Sequence, residues 1–197
     1  MTAAARRATR EDVPGMARAL ARAFHDDPVI EWIFPDEGRR AGVSERFFTI
    51  RVRSLLAQQE LYTTDDHAGA ACWAQPGRWE ASPLEGLAFA LRLLPLLRRR
   101  APLIGRGWSA IESAHPHEPH YYLALLGTDP SVQGRGIGSA LLRPVLEDCD
   151  RNEIPAYLES SKESNVAFYG RHGFRVTGEL DLPEGPRIWF MWRDPLV

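Results

Sequence analysis

Residues 133–138 read Gln-Gly-Arg-Gly-Ile-Gly and are followed by Ser139, Ala140, Leu141 and Leu142. Glycine at three alternate positions lets a backbone approach a ligand with no Cβ in the way. An uncharged apolar run at residues 121–126 precedes this stretch and predicts a strand. After it, Ile137, Ala140, Leu141, Val145 and Cys149 recur at helical spacing. Strand, glycine-rich turn and helix in that order aim free N–H groups and the positive end of a helix dipole at one point, where a phosphate or pyrophosphate fits. A P-loop is excluded, because it needs Lys and then Ser or Thr after its last glycine, and Gly138 is followed by Ser139 and Ala140. The dinucleotide fingerprint asks for a third glycine where Ser139 stands, and only Glu159 loosely matches its acidic residue. A tight turn without a ligand is the plain alternative.

A third motif fits better. Gln133, Gly136 and Gly138, after Thr128-Asp129-Pro130, resemble the acyl-CoA pyrophosphate loop of the GCN5-related N-acetyltransferases, the GNAT family. Glu163-Ser164-Asn165, Ala167-Phe168-Tyr169 and His172-Gly173-Phe174 resemble a second element of that family, in the right order. The segments at residues 8–14, 118–119, 156–160 and 182–187 look like its puromycin N-acetyltransferase branch, while the likeness is weak between about Glu37 and Ala114.

The resemblance implies acetyl-CoA as cofactor and a set of roles. Leu126, Gly127 and Thr128 would line up pantetheine like an added strand, one N–H polarising the thioester carbonyl. Gln133, Gly134, Arg135, Gly136, Ile137, Gly138 and Ser139 would hold the pyrophosphate, with Asn165 and Phe168 beside the cofactor. Tyr169 matches the tyrosine that hydrogen-bonds the leaving sulfur. A phenol near pKa ~10 is a weaker acid than a thiol near ~8.5, so stabilising the thiolate precedes protonating it. Tyr169 as a core aromatic beside Phe168 is the bland alternative. Glu159 is the candidate base. Strand alternation puts it on one face with Tyr157 and puts Leu158 on the other. A carboxylate in so apolar a strand needs a partner. It could take the ammonium proton, hold the substrate by charge, or pair with an arginine.

For the acceptor, Asp26 and Asp27 suit an ammonium group, Trp32 offers an aromatic face, and Tyr157 shares the face of Glu159. Solvated loop carboxylates are the alternative reading of the two aspartates. Asp27 stands where the puromycin enzymes carry Tyr, so their substrate does not transfer. The expected acceptor is a primary amine on a small molecule, such as an aminonucleoside, an antibiotic or an amino-acid-like compound. Three other readings stay open: acetylation of proteins or peptides, a non-catalytic acyl-CoA-binding regulator, and a nicotinamide-dependent oxidoreductase.

The elements that must position these groups follow from pattern. With 197 residues, one domain is expected, of mixed α/β class. Its sheet should be mostly antiparallel and twisted, with helices on both faces and one central parallel, splayed pair, residues 121–128 beside 156–160. Residues 6–8 predict a first strand, and Met16, Ala17, Leu20, Ala23 and Phe24 a helix to about His25. A second helix is expected from Arg40 to Gln59, then a hairpin of residues 61–64 and 70–74 around Asp65-Asp66-His67-Ala68-Gly69. Residues 82–113 read as a helical insertion over the acceptor site, with Leu84, Leu87, Ala88, Leu91 and Leu94 at helical spacing, an interruption at Pro95 and arginines after it. His115, His117 and His120 alternate in a proline-stiffened segment whose side chains should point apart, so no metal is expected. A kink is expected near Ala140 from Pro144, a helix at residues 165–172, and a final hairpin of residues 175–182 and 187–192.

A net charge of −2 gives no field for nucleic acid. No stretch nears the ~20 apolar residues that span a bilayer. Neither a signal peptide nor a transit peptide is expected, and Cys72 and Cys149 read as buried thiols of a cytoplasmic protein. Lys162 is the one lysine amid arginines, alanines and prolines, a composition that points to a GC-rich bacterial genome. Monomer and homodimer both remain open.

Overall fold

Alternation of side chains in β3, residues Gly69–Ala74, sets up both halves of the core. Ala70 and Cys72 join one apolar cluster and Ala71 and Trp73 the other, so the strand is buried on both sides. The computed structural model describes residues 4–56, 60–79 and 82–196. Around β3 it forms a seven-stranded sheet in the order β1-β2-β3-β4-β5-β7-β6. The other strands are β1 (Arg6–Arg7), β2 (Glu60–Thr63), β4 (Tyr121–Thr128), β5 (Ala156–Ser160), β6 (Arg175–Asp181) and β7 (Arg187–Arg193). Neighbours are antiparallel except β4 and β5, which run parallel as expected.

One face carries α1 (Val13–Ala23), α2 (Pro28–Ile33), α3 (Glu37–Leu56), α4 (Pro83–Leu97) and α5 (Ala101–Ala114). The other carries α6 (Ile137–Arg151) and α7 (Val166–Gly170). Of the helix expected to reach Gln59, the residues after Leu56 lie outside the described ones. The helix expected at residues 165–172 is shorter: a 3-10 turn, Glu163–Asn165, leads into α7, and Gly173 ends the segment at a left-handed φ of 86°.

One proline expectation gives way. α4 passes through Pro95, and the break comes at Arg98, whose φ is 53°. The carbonyl that Pro95 leaves unpaired belongs to Leu91, which is exposed, so water can satisfy it. α6 holds Pro144 within a single helix. The apolar stripe at helical spacing forms the outer face of α4. Leu84 is 80% exposed and Leu87, Leu91 and Leu94 more than half, while Leu93 and Leu97 are buried. α4 is apolar almost all round, so spacing alone does not choose its inner face. Cys72 and Cys149 are buried free thiols, each pushed up to about 12 by burial.

The amino end is tied down by Asp12. Its carboxylate accepts two bonds from the Arg6 guanidinium at 2.8 and 2.9 Å and one from the Thr9 amide at 2.7 Å, and meets His67 Nε2 at 2.9 Å. These partners, Arg6 foremost, hold its pKa far below the ordinary carboxylate range. A carboxyl depressed in the fold contributes stability above its unfolded pKa near ~3.9 and loses it as pH falls. Thermal melts between pH 7 and pH 2 should therefore show wild type losing stability in acid. Asp12→Asn should be less stable at pH 7 and lose less on acidification. Parallel losses in the two proteins would remove Asp12 from this account.

Candidate active site

β4 and β5 pair only at Tyr121, Tyr122 and Leu123, opposite Ala156, Tyr157 and Leu158. Beyond these, β4 runs on to Thr128 and β5 to Ser160 without pairing. The parting coincides with a bulge: Cys72 faces Leu125 while Trp73 faces Leu123, so Ala124 is the extra residue on β4. A bulge bends its strand and raises local twist, which carries β4 away from β5. Helix α1 closes on the far end of β4. A Cβ at Gly127 would lie 2.9 Å from both Ala23 Cβ and Leu20 Cδ2, so only glycine permits this approach.

A cleft of about 520 Å³ opens here. Leu126, Gly127 and Thr128 line it together with Gln133, Gly134, Gly136, Ile137, Gly138 and Ser139, while Arg135 is exposed outside the lining. Asp129 shapes the turn between them, accepting from the Ser131 amide at 3.0 Å and pairing with Arg22. Gln133 Nε2 donates to the Thr128 carbonyl at 3.1 Å. Gly134 and Gly136 hold φ of 75° and 78°, a region costly for other residues. Gly136 is the N-cap of α6 and supplies no capping side chain, so the first-turn amides lack the usual acceptor. Lys162 and Arg171 add positive charge to the lining, and Arg171 lies over the Phe168 ring at 5.7 Å. This cradle suits a diphosphate. Sequence reasoning passed over both cations, though the sole lysine was a visible signal. Asn165 and Phe168 also line the cleft. The Ser139 hydroxyl meets His172 Nε2 at 3.0 Å, a ring whose pKa is lowered first by burial and then by Arg171 and Arg193.

Tyr169 reaches the cleft from α7 and is 8% exposed. Burial, and next the charge of Asp27, push its pKa far above the ordinary phenol value, so it stays protonated. Glu159 lies apart from this lining. Its Oε1 is 3.3 Å from His115 Nδ1, where the sequence had offered arginine as a structural partner. Tyr157 and Tyr122 adjoin it, both raised by burial and then by the Glu159 charge, and the buried Tyr157 hydroxyl has no partner among the described residues. His115 and His120 do not point apart: their Nε2 atoms are 3.0 Å apart, because the chain bends at His115 and again at Glu118, each just before a proline.

The expected acceptor carboxylates have other contacts. Asp27 is the N-cap of α2, accepting from Val29 N at 2.9 Å and Ile30 N at 3.2 Å, and Ser161 donates to its other oxygen. Burial pushes its carboxyl above the usual value. Asp26 is exposed and paired with Lys162 at 2.6 Å. Trp32 is a core residue packed on Gly107 and Gly185, its Nε1 buried with no partner among the described residues.

Residues 92–174 match the Acetyltransferase (GNAT) family. An uncharacterized N-acetyltransferase of Schizosaccharomyces pombe is 26% identical over 190 residues, covering 87% of this chain and 74% of that protein. The matched segment takes in β4, the glycine turn, α6, β5 and Tyr169. Solved structures agree on the fold. One, described as histone acetyltransferase HPA2 and related acetyltransferase from Corynebacterium glutamicum, superposes with a TM-score of 0.73 at 24% identity over 100% of this chain and 98% of its own. Arylalkylamine N-acetyltransferase 2 from Aedes aegypti gives 0.62 at 11% identity, over 96% and 97%. The match supports an acyltransferase, and the matched family uses acetyl-CoA as donor and amines as acceptors. No described helix is long and apolar enough to cross a membrane.

Proposed function

We propose that this enzyme moves the acetyl group of acetyl-CoA directly to a primary amine of a small molecule. The observation that supports this most is the continuity of the cleft. The uncapped start of α6, the end of β4 that has parted from β5 and the buried side chain of Tyr169 line one space. Acetyl-CoA, when bound, supplies an activated acyl thioester. The amides at the start of α6, with Lys162 and Arg171, would hold its diphosphate. A backbone N–H of residues 126–128 would donate to the carbonyl oxygen as charge grows there. Tyr169 would donate to the departing sulfur. Glu159 would take the proton of the acceptor ammonium and leave a neutral amine to attack. Asp27 lines the cleft, but both its oxygens already accept hydrogen bonds and Asp26 is paired with Lys162, so Glu159 among the rings of Tyr122 and Tyr157 is the better ammonium site. The pair α4 and α5 buries Leu93, Leu97 and Ile104 and would cover a compact acceptor.

Thiol release from acetyl-CoA should be measured with puromycin, other aminonucleosides, aminoglycosides, polyamines, free amino acids and short peptides. Turnover on at least one small amine, above that on peptides, is expected. Activity confined to peptides with free N-termini would overturn the small-molecule reading.

A further inference from the structure

Behind Glu159 runs a line of hydrogen bonds that the transfer reaction, as described so far, does not use. Glu159 Oε1 lies 3.3 Å from His115 Nδ1, His115 Nε2 lies 3.0 Å from His120 Nε2, and His120 Nδ1 lies 2.6 Å from the Glu118 carbonyl oxygen. The positions of the protons follow from the far end. A carbonyl oxygen carries none, so His120 Nδ1 must donate. A neutral His120 then offers a lone pair at Nε2, and His115 donates to it. A neutral His115 is left with a lone pair at Nδ1 facing a carboxylate oxygen, two acceptors with no proton between them. One further proton closes this gap. The line then holds three protons and no net charge, whichever of the three side chains carries the extra one.

We propose that His115 and His120 form a proton store coupled to Glu159, which receives the proton lost by the acceptor amine. The proposal rests on Glu159 acting as the base. The ammonium N–H bond breaks, its electron pair stays on nitrogen, and an O–H bond forms on Glu159. That O–H breaks as an N–H forms at His115 Nδ1, while the Nε2 proton of His115 passes to His120 Nε2. The end state is a His115 that donates from Nδ1 to a restored carboxylate, beside a His120 imidazolium. Once product leaves, the same steps in reverse return the proton to water through the emptied site. His115 and His120 act through Glu159 and are positioning residues.

The surroundings suit this use. Trp79 stacks on His115 at 3.7 Å between ring centres, and Tyr157 and Trp192 pack edge-on against His120, keeping water from a line whose two rings are buried. The charged and titratable groups around it are Glu159 and Tyr157 from β5, Tyr122 from β4 and Glu118 beside His120, with Arg51 of α3 and Glu112 of α5 acting on Tyr122. Burial, opposed by the Glu118 carbonyl and reinforced by His115, lowers the pKa of His120, which favours return of a proton held there over its retention.

Two experiments test this. Histidine ¹⁵N spectra of the wild-type protein without substrate should show His120 protonated at Nδ1 and His115 at Nε2 at pH 8; a His120 protonated only at Nε2 would overturn the store. In kinetics, His120→Gln should lower the plateau of kcat/KM about tenfold and move its acid limb to lower pH by about one unit, because the line binds its third proton less tightly. His115→Gln should do the same. A lower plateau with an unmoved acid limb in both variants, alongside an inactive Glu159→Gln, would leave the base and overturn the store. Full activity of Glu159→Gln would overturn both.

Discussion

Valine in place of Gly136 or Gly138 is expected to abolish most of the stabilisation that acetyl-CoA confers. A ligand at a hundred times its dissociation constant adds ~2.7 kcal/mol, which for a chain of this size raises Tm by roughly 5–10 °C. The two glycines fail for different reasons. At Gly136 the φ of 78° is costly for a branched residue, so the turn that presents the first amides of α6 would be lost. At Gly138 a Cβ would lie 3.2 Å from Phe168 Cζ and 3.6 Å from Thr128 Oγ1, within the lining of the cleft. Valine there adds bulk where the diphosphate is proposed to sit. The measurement is the ligand-induced rise in Tm, which separates lost binding from a lower baseline. Gly170→Ala is the control, since a Cβ there meets nothing within 4 Å. Equal rises in wild type and both valine variants would place acetyl-CoA elsewhere.

Tyr169→Phe should lower kcat about 100-fold while the KM for acetyl-CoA changes little. The hydroxyl is proposed to donate to a sulfur that gains charge only as the thioester breaks, so its loss is felt in the transition state. Burial and the nearby Asp27 raise its pKa, so the phenol does not titrate in the working range. The fall in kcat should therefore be uniform from pH 6 to pH 9, in contrast to the shifted acid limb expected of the histidine variants. Single-turnover measurements would show whether chemistry limits the rate. Unchanged turnover under that condition would reduce Tyr169 to packing against Phe168 and Phe174, whose rings it meets edge-on.

Local rules made much of the fold legible. The parallel pairing of β4 with β5 followed from the helix between them, and the final hairpin from the turn at residues 183–186. What stayed hidden came from contacts between distant residues. His115 and Glu159 are 44 residues apart, and nothing in the spacing of the histidines says that both reach one point. Asp27-Pro28 has a local meaning: Asp at an N-cap before Pro at the first helical position is a helix start, which engages the carboxylate that the sequence offers to an ammonium group. α4 shows the opposite limit, since its helical period was legible and the face it buries was not.

The position of β7 between β5 and β6 bears on how the protein is made. Glu159 and its strand are synthesised well before Arg187–Arg193, the segment that pairs with β5 along its whole length. Until that segment leaves the ribosome, β5 has only the short parallel contact with β4 on one side and an open edge on the other. The nascent chain thus contains every residue proposed for the reaction while its central strand can still pair with the wrong partner. A chain stopped after Asp181 would keep that edge open permanently and should aggregate, although the cleft, Tyr169 and Glu159 are all encoded before the stop.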